Sequence, residues 1–348
     1  MSFAKFMQQA LYCPKIGYYE RERQVLGPEG DFYTSVSGVP LFAELLAFQA
    51  SAWLQELGNG PFAIVEGGAH EGKLAWGILD WFQKCRPELF NNLTYWLVEP
   101  SETRKAWQSH TLDKFARQVR WGQTIDELPP VKGLILSNEL LDAMPLHRVV
   151  WRQSARRWRE LGVGLEGEKF VWIELPEPTL NIADELAASG FELPDELMAA
   201  IPDGFCLEVC PSARDWWFKA AGALQRGKLL TIDYGLAAEE FLSPQRREGT
   251  LRSYRRHHEV ANVLAEPGEQ DITAHLNFTQ LIRAGEAAGL KTSKLESQEK
   301  FLGTIFGNIV ENPSRFGGWT PMRTGQLQTL IHPEHLGRPF RVLVQSRT

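Results

Sequence analysis

A chain of 348 residues, 43% hydrophobic and 23% charged, is long enough to bury a sizeable core and has an ordinary globular composition, which excludes wholesale disorder and fibrous repetition. Thirty-seven Lys and Arg against 43 Asp and Glu leave a formal charge of −6, so a nucleic-acid partner is not expected. Cys13, Cys85, Cys206 and Cys210 contain no C-x-x-C pair, and the chain shows no signal core, no transit stretch and no apolar run of ~18 residues; the expected setting is cytoplasmic, with no membrane span.

In chain order, Phe3 to Leu11 carries a helical stripe stopped by Pro14 and Gly17, 26–37 is turn-rich, and Pro40 to Leu57 is an apolar helix opened by proline. An alternation begins at residue 61. The apolar run Phe62 to Val65 leads through a glycine-rich turn into the helix Lys73 to Cys85 and then the run Leu93 to Val98, a βαβ unit. A helix from Ser101, a brief strand near Val119 and the run Gly133 to Ser137 continue it, so the predicted fold is a doubly wound α/β sheet of Rossmann-like type. Hairpin strands over Arg148 to Gly162 and Lys169 to Leu175, with a Pro-rich acidic stretch after them, read as an insertion. The sheet is expected to resume at Phe205 to Val209 and Lys228 to Ile232, followed by the helix Asn277 to Ala288 and strands Lys291 to Glu296 and Phe340 to Gln345. The predicted organisation is a lead-in over 1–60, an α/β domain over 61–145 and 205–348, and an inserted element over 146–204.

The turn IVEGGAHEG, 64–72, stands between strand and helix, where backbone approaches ligand. Its spacing, Glu66-x-Gly68-x-His70-x-Gly72, departs from the nicotinamide pattern G-x-G-x-x-G, and an acid before the turn favours an amine-bearing ligand over a pyrophosphate. Glu99 ends the next strand, where a carboxylate can accept both hydroxyls of a ribose. A tight turn needs glycine without any ligand, and Glu99 alone would read as a solvated charge; the two together in this order point to an adenosine cofactor without phosphates, S-adenosylmethionine. His70 occupies the middle of the turn, where a side chain narrows the pocket or is forced to positive φ.

After the fourth strand, Asn138-Glu139-Leu140-Leu141-Asp142-Ala143-Met144-Pro145 reaches the carboxyl edge of the sheet. On a helical turn Glu139 and Asp142 would share a face, and paired carboxylates beside a sulfonium donor suit a guanidinium acceptor. The plainer alternative is an Asn138 cap on a short helix whose first turn is acidic.

The order of motifs resembles the MidA family of S-adenosylmethionine-dependent methyltransferases across nearly the whole chain. The resemblance rests on the turn, on NELLDAMP, on Phe3-Ala4-Lys5-Phe6-Met7 with Gly17-Tyr18-Tyr19, on Gly30-Asp31-Phe32-Tyr33-Thr34-Ser35, on Leu230-Thr231-Ile232-Asp233-Tyr234-Gly235, on Gly249-Thr250-Leu251-Arg252-Ser253-Tyr254 and on Asp271-Ile272-Thr273-Ala274-His275. It implies a class I methyltransferase sheet and a cofactor site at Glu66, Gly68, Gly72 and Glu99, closed by the loop carrying Asp31, Thr34 and Ser35; His70, within the turn, is expected to meet the cofactor too. It further implies acceptor chemistry at Asn138, Glu139 and Asp142, with Asp233, Tyr234, Arg252 and His275 on the acceptor side and no metal. A protein acceptor, methylated on arginine in one branch of the family, is the expected partner, and a homo-oligomer is compatible with it. Two positions depart from the family pattern, His70 and Glu299, where glycine is usual. The rival readings are an assembly protein that keeps the fold without catalysis, a small-molecule methyltransferase and a nicotinamide oxidoreductase.

Of the remaining residues, His257-His258 and His332-Pro333-Glu334-His335 complete no metal-ligand spacing and read as solvated histidines. Adjacent Trp216-Trp217, with Trp319, are candidates for a protein-binding surface.

Overall fold

The computed structural model describes residues 1–21, 40–255 and 258–348. Helix α1 (Phe3–Tyr12), capped by the Ser2 side chain, and a 3-10 turn (Tyr18–Glu20) precede α2 (Pro40–Glu56). The alternation then runs β1 (Phe62–Gly67), α3 (Lys73–Cys85), α4 (Pro87–Phe90), β2 (Leu93–Val98), α5 (Glu102–Thr111), β3 (Val119–Gly122) and β4 (Val131–Asn138). Next come β5 (His147–Arg152), β6 (Arg157–Glu166), β7 (Lys169–Glu174), α6 (Ile182–Ala188), α7 (Asp195–Ala200), β8 (Cys206–Val209), α8 (Pro211–Ala223) and β9 (Leu224–Leu236). The chain continues through α9 (Ala238–Phe241), β10 (Arg252–Arg255), β11 (His258–Glu259), β12 (Asp271–Thr273), β13 (Leu276–Asn277) and α10 (Phe278–Ala287). It closes with β14 (Lys291–Ser297), α11 (Gln298–Glu311), α12 (Pro321–Leu330) and β15 (Phe340–Arg347).

The main sheet has the order β14-β15-β9-β4-β1-β2-β3, with the short β13 beside β9. Its central pairs are parallel, and β15 runs antiparallel between β9 and β14. Strands buried on both faces must be apolar at successive positions, which is why β1 and β4 read as unbroken runs. Ile64, Leu134, Leu136 and Leu230 pack into a core with α2, α3, α11 and α12, whereas Val65, Ile135 and Leu229 point the other way into a core with α8 and α10.

Two expectations are corrected. Strand 206–209 does not resume the main sheet: β8 pairs antiparallel with β5, His147 opposite Val209, in a second sheet of order β7-β6-β5-β8. A short apolar run carries no label for the sheet it will join, and β8 reaches β5 before α8 leads the chain back to β9. Residues 139–146 are turn and bend rather than helix, since Glu139 has φ +50°, outside the helical region. The second sheet carries α1 on one face, where Phe3 packs on Trp172 and Phe6 on Phe170. A third small sheet, β11-β10-β12, completes the structure on that side.

The tryptophans proposed as a protein-binding surface lie in different settings, and only Trp216 and Trp319 are partly exposed. Trp217 is fully buried and donates from Nε1 to Oε1 of Gln345 at 2.8 Å; Trp216 packs over Gly67, where a Cβ would come within 2.5 Å of its ring; Trp319 stacks on Phe306 and Phe316.

Candidate active site

Parallel register sets four strand ends side by side. Gly67 stands opposite Val98 on one side and Ser137 on the other, and Asn138 stands opposite Ile232. The chain runs from β1 outward through β2 and β3, then crosses to β4 on the other side of β1, and ligands of open α/β sheets bind where the order reverses in this way. A cavity of about 1260 Å³ lies there, lined by Glu66, Gly68, His70, Glu99, Asn138, Glu139, Asp142, Tyr234, Arg252 and His275. Two expected residues are not on its wall. Gly72 takes φ +82° as it opens α3, and Asp233 is fully buried, its Oδ2 accepting from the Leu141 N–H and its Oδ1 from the Tyr234 N–H. Asp233 thereby holds the 139–146 loop from behind instead of meeting an acceptor. Asp31, Thr34 and Ser35 lie outside the described residues.

On the cofactor side, Glu66 is buried and accepts from the Tyr95 hydroxyl at 2.6 Å; burial pushes its carboxyl up to about 7. Glu99, also buried, takes the Ser101 N–H and Arg104 Nε on Oε1 and Gln108 Nε2 on Oε2, each at 2.9 Å. A carboxylate offers roughly four acceptor sites, so Glu99 keeps acceptor capacity at Oε2. The turn between them is close-packed: Gly68 has φ +74°, and a Cβ there would meet Leu140 at 2.8 Å. His70 holds φ +46°, a conformation costly for a side chain, and its ring tilts against Trp107. Burial lowers its imidazole to about 4, so the ring is neutral and does not repel a cation.

The residues fit the cofactor by a second observation. Among the described residues, buried side-chain atoms lacking a hydrogen-bond partner include both ring nitrogens of His70 and Oδ1 of Asn138, and both residues line the cavity. Polar atoms are rarely left unpaired inside a protein, and open atoms lining a cavity mark where a polar ligand completes them.

On the other side acids converge. Asp142 is buried, and burial together with the nearby charges of Asp233 and Asp271 raises its carboxyl well above the usual range. Its backbone carbonyl accepts from the Ala274 N–H at 3.0 Å, joining the 139–146 loop to the segment after β12. Asn138 donates from Nδ2 to Oε1 of Glu139 at 3.1 Å. Asp271 lines the same wall and accepts from the Tyr19 hydroxyl at 2.7 Å, while the Tyr12 hydroxyl donates to the Ala143 carbonyl.

Of these residues, Tyr12 and Glu20 from the lead-in and Arg104 and Gln108 from α5 were not singled out from sequence, and Tyr19 was read only as part of a lead-in motif. Arg104 is buried between Glu99 and Glu20, and Ser101 donates from Oγ to Oε2 of Glu20 at 2.7 Å. The spacing of Arg104 and Gln108 on one face of α5, four apart, was the available signal. Among the described residues no group of three or more His, Cys, Asp or Glu is placed to hold a metal ion, and no helix is long and apolar enough to cross a membrane.

Known proteins resemble this chain over most of its length. A solved structure from Burkholderia thailandensis, bound to S-adenosyl-homocysteine, superposes with a TM-score of 0.82 at 31% identity, covering 100% of this chain and 88% of that one. The mitochondrial protein arginine methyltransferase NDUFAF7 of Homo sapiens is 27% identical over 332 residues, 87% of this chain and 70% of its own length. The Danio rerio protein of the same name is 28% identical over 307 residues, 81% of this chain and 67% of its own. These relatives are mitochondrial proteins, which overturns the expectation of a cytoplasmic setting. A family model of S-adenosyl-L-methionine-dependent methyltransferases matches residues 45–295. The chain belongs to that family, and S-adenosylmethionine is its cofactor.

Proposed function

We propose that the methyl acceptor is a guanidinium nitrogen of a protein arginine. The observation that carries this reading is the crowding of Glu139, Asp142 and Asp271 on one end of the cofactor cavity, with Asp233 buried behind them. Carboxylates packed this closely repel one another, and a permanently charged, planar cation with several donors relieves that repulsion. The names of the curated relatives support the same acceptor.

Bound S-adenosylmethionine supplies an electrophilic methyl group on a sulfonium. In this reading Glu66 takes the ammonium of its amino-acid end, Glu99 one ribose hydroxyl, and His70 and Asn138 complete their open polar atoms on the same ligand. Glu139 and Asp142 hold the guanidinium and orient one nitrogen, with Asn138 fixing the Glu139 carboxylate. The nitrogen gains a carbon and must lose a proton; Asp142, whose environment favours its protonated form, receives it. Tyr19 steadies Asp271 as the remaining counter-charge.

The test is transfer of an isotopically labelled methyl group from S-adenosylmethionine to arginine-containing peptides and to a fractionated proteome, read by mass spectrometry. The expected product is a methylated arginine, with none on lysine replacements. Saturable binding of S-adenosylhomocysteine without transfer to any fraction would favour a non-catalytic assembly role, and labelling of a small molecule alone would move the acceptor out of protein.

A further inference from the structure

One wall of the acceptor end carries charges of both signs in a fixed pattern. Strands β10 and β12 pair antiparallel, with Arg252 opposite Thr273 and Tyr254 opposite Asp271. Ser253 and Ile272 turn into the core, so Arg252, Tyr254, Asp271 and Thr273 share the other face, and all four line the cavity. Arg252 and Asp271 are diagonal neighbours on that face, roughly 7–8 Å apart. Next to them His275 donates its backbone N–H to Oγ1 of Thr250, two residues before Arg252, and its Nδ1 is buried without a partner.

The geometry points to a subsite for a carboxylate at Arg252 and His275, so that the preferred acceptor carries an anionic group beside the guanidinium that Asp271 and its neighbours attract. This rests on the guanidinium reading of the same cavity. Arg252 already shows the chemistry: its Nε holds Oε1 of Glu259 on β11 at 3.2 Å. Both side chains of that pair are about half exposed, and such surface pairs contribute little, so an incoming carboxylate can exchange for Glu259. Arg246 and Arg341 add positive potential around the His275 ring, offset in part by Glu240, which accepts from both through its backbone carbonyl and its Oε1. A neutral imidazole can donate one hydrogen bond to an anion without adding a charge of its own. The carboxylate has two sources, an acidic side chain adjacent to the target arginine or a main-chain carboxylate.

Two matched pairs of probes separate those sources. Calorimetry in saturating S-adenosylhomocysteine would compare L-arginine with agmatine, which lacks only the carboxylate, and acetyl-Arg-Glu-amide with acetyl-Arg-Gln-amide. At least one pair should show a preference of about tenfold for the carboxylate member, the size of one charge-assisted hydrogen bond. R252Q should abolish that preference while keeping the thermal shift with S-adenosylhomocysteine that reports an intact fold. Preference in the first pair assigns a main-chain carboxylate, and preference in the second assigns an acidic neighbour. Equal binding within both pairs, or a preference that survives in R252Q, overturns the subsite and leaves the guanidinium reading standing. Failure of all four probes to bind overturns both.

Discussion

The side-chain amide of Gln108 joins the glycine turn to the acid at the end of β2: Nε2 donates to the His70 carbonyl at 3.0 Å and to Oε2 of Glu99 at 2.9 Å. Its own Oε1 accepts from Trp121 Nε1 at 3.0 Å, and the residue is fully buried. One amide thus fixes the spacing between the glycine turn and Glu99, the two halves of the proposed cofactor site. In Gln108→Ala, Glu99 loses a donor and the indole an acceptor, at a cost of about 2 kcal/mol. The expected result is a lower unfolding temperature and about tenfold weaker binding of S-adenosylhomocysteine by calorimetry, since the two halves lose their common tether. Unchanged affinity would show that they are held independently.

Glu66 predicts a pH dependence of cofactor binding. Its carboxyl, pushed up to about 7 by burial, must be ionised to hold an ammonium, so affinity rises with pH until Glu66 is fully ionised and falls as protonation competes below 7. The limiting slope is about tenfold per pH unit. Calorimetry with S-adenosylhomocysteine across that range should show this slope in the wild type and lose it in Glu66→Gln, whose affinity stays low throughout.

Glu139→Gln and Asp142→Asn separate acceptor chemistry from cofactor binding. Each should lower methyl-transfer turnover by about 10²–10³-fold, the range for a positioned acid, base or electrostatic group, with S-adenosylhomocysteine binding unaltered. Rates equal to wild type in both variants would remove the proposed roles of these carboxylates.

Asp233 links the site to stability. Its carboxyl is raised to about 7 from the ordinary 3.8, first by burial and then by the charge of Glu139. Folding therefore favours the protonated form, so the contribution is fully present below the unfolded value and is lost as pH rises through 7. Denaturant unfolding should show stability declining across this window by up to one proton's worth from Asp233, and Asp233→Asn should remove that part of the slope. The variant also leaves Leu141 or Tyr234 with an unpaired N–H, at a cost of about 1–3 kcal/mol at acid pH.

The strand ends were legible because chemistry and periodicity coincide there. Glu66 and Glu99 each close an apolar run, and parallel register then forces them onto one edge. Glu139 and Asp142 were located but given the wrong local form, because a three-residue spacing suggests a helix and nothing in composition announces φ +50° at Glu139. Tyr12, Arg104 and Gln108 were missed, and Tyr19 was read in a motif without a role, for a different reason. They lie outside the strand-end motifs, and only tertiary packing brings α1, α5 and the 3-10 turn against the same cavity. Asp233 sat in a recognisable motif, but its burial behind the loop depends on the Leu141 N–H finding it.

The placement of β15 sets a schedule for folding. Residues 340–347 enter between β9 and β14 with antiparallel register along their whole length, and Phe340 stacks on Tyr234, a cavity residue, with ring centroids 3.8 Å apart. Until that segment has been synthesised and inserted, β9 keeps an unpaired edge and one wall of the pocket lacks its support, despite a finished glycine turn hundreds of residues upstream. Long-range pairing of this kind is slow and leaves strand edges open to other chains. The pocket wall at Tyr234 is therefore complete only once residues 340–347 have paired with β9.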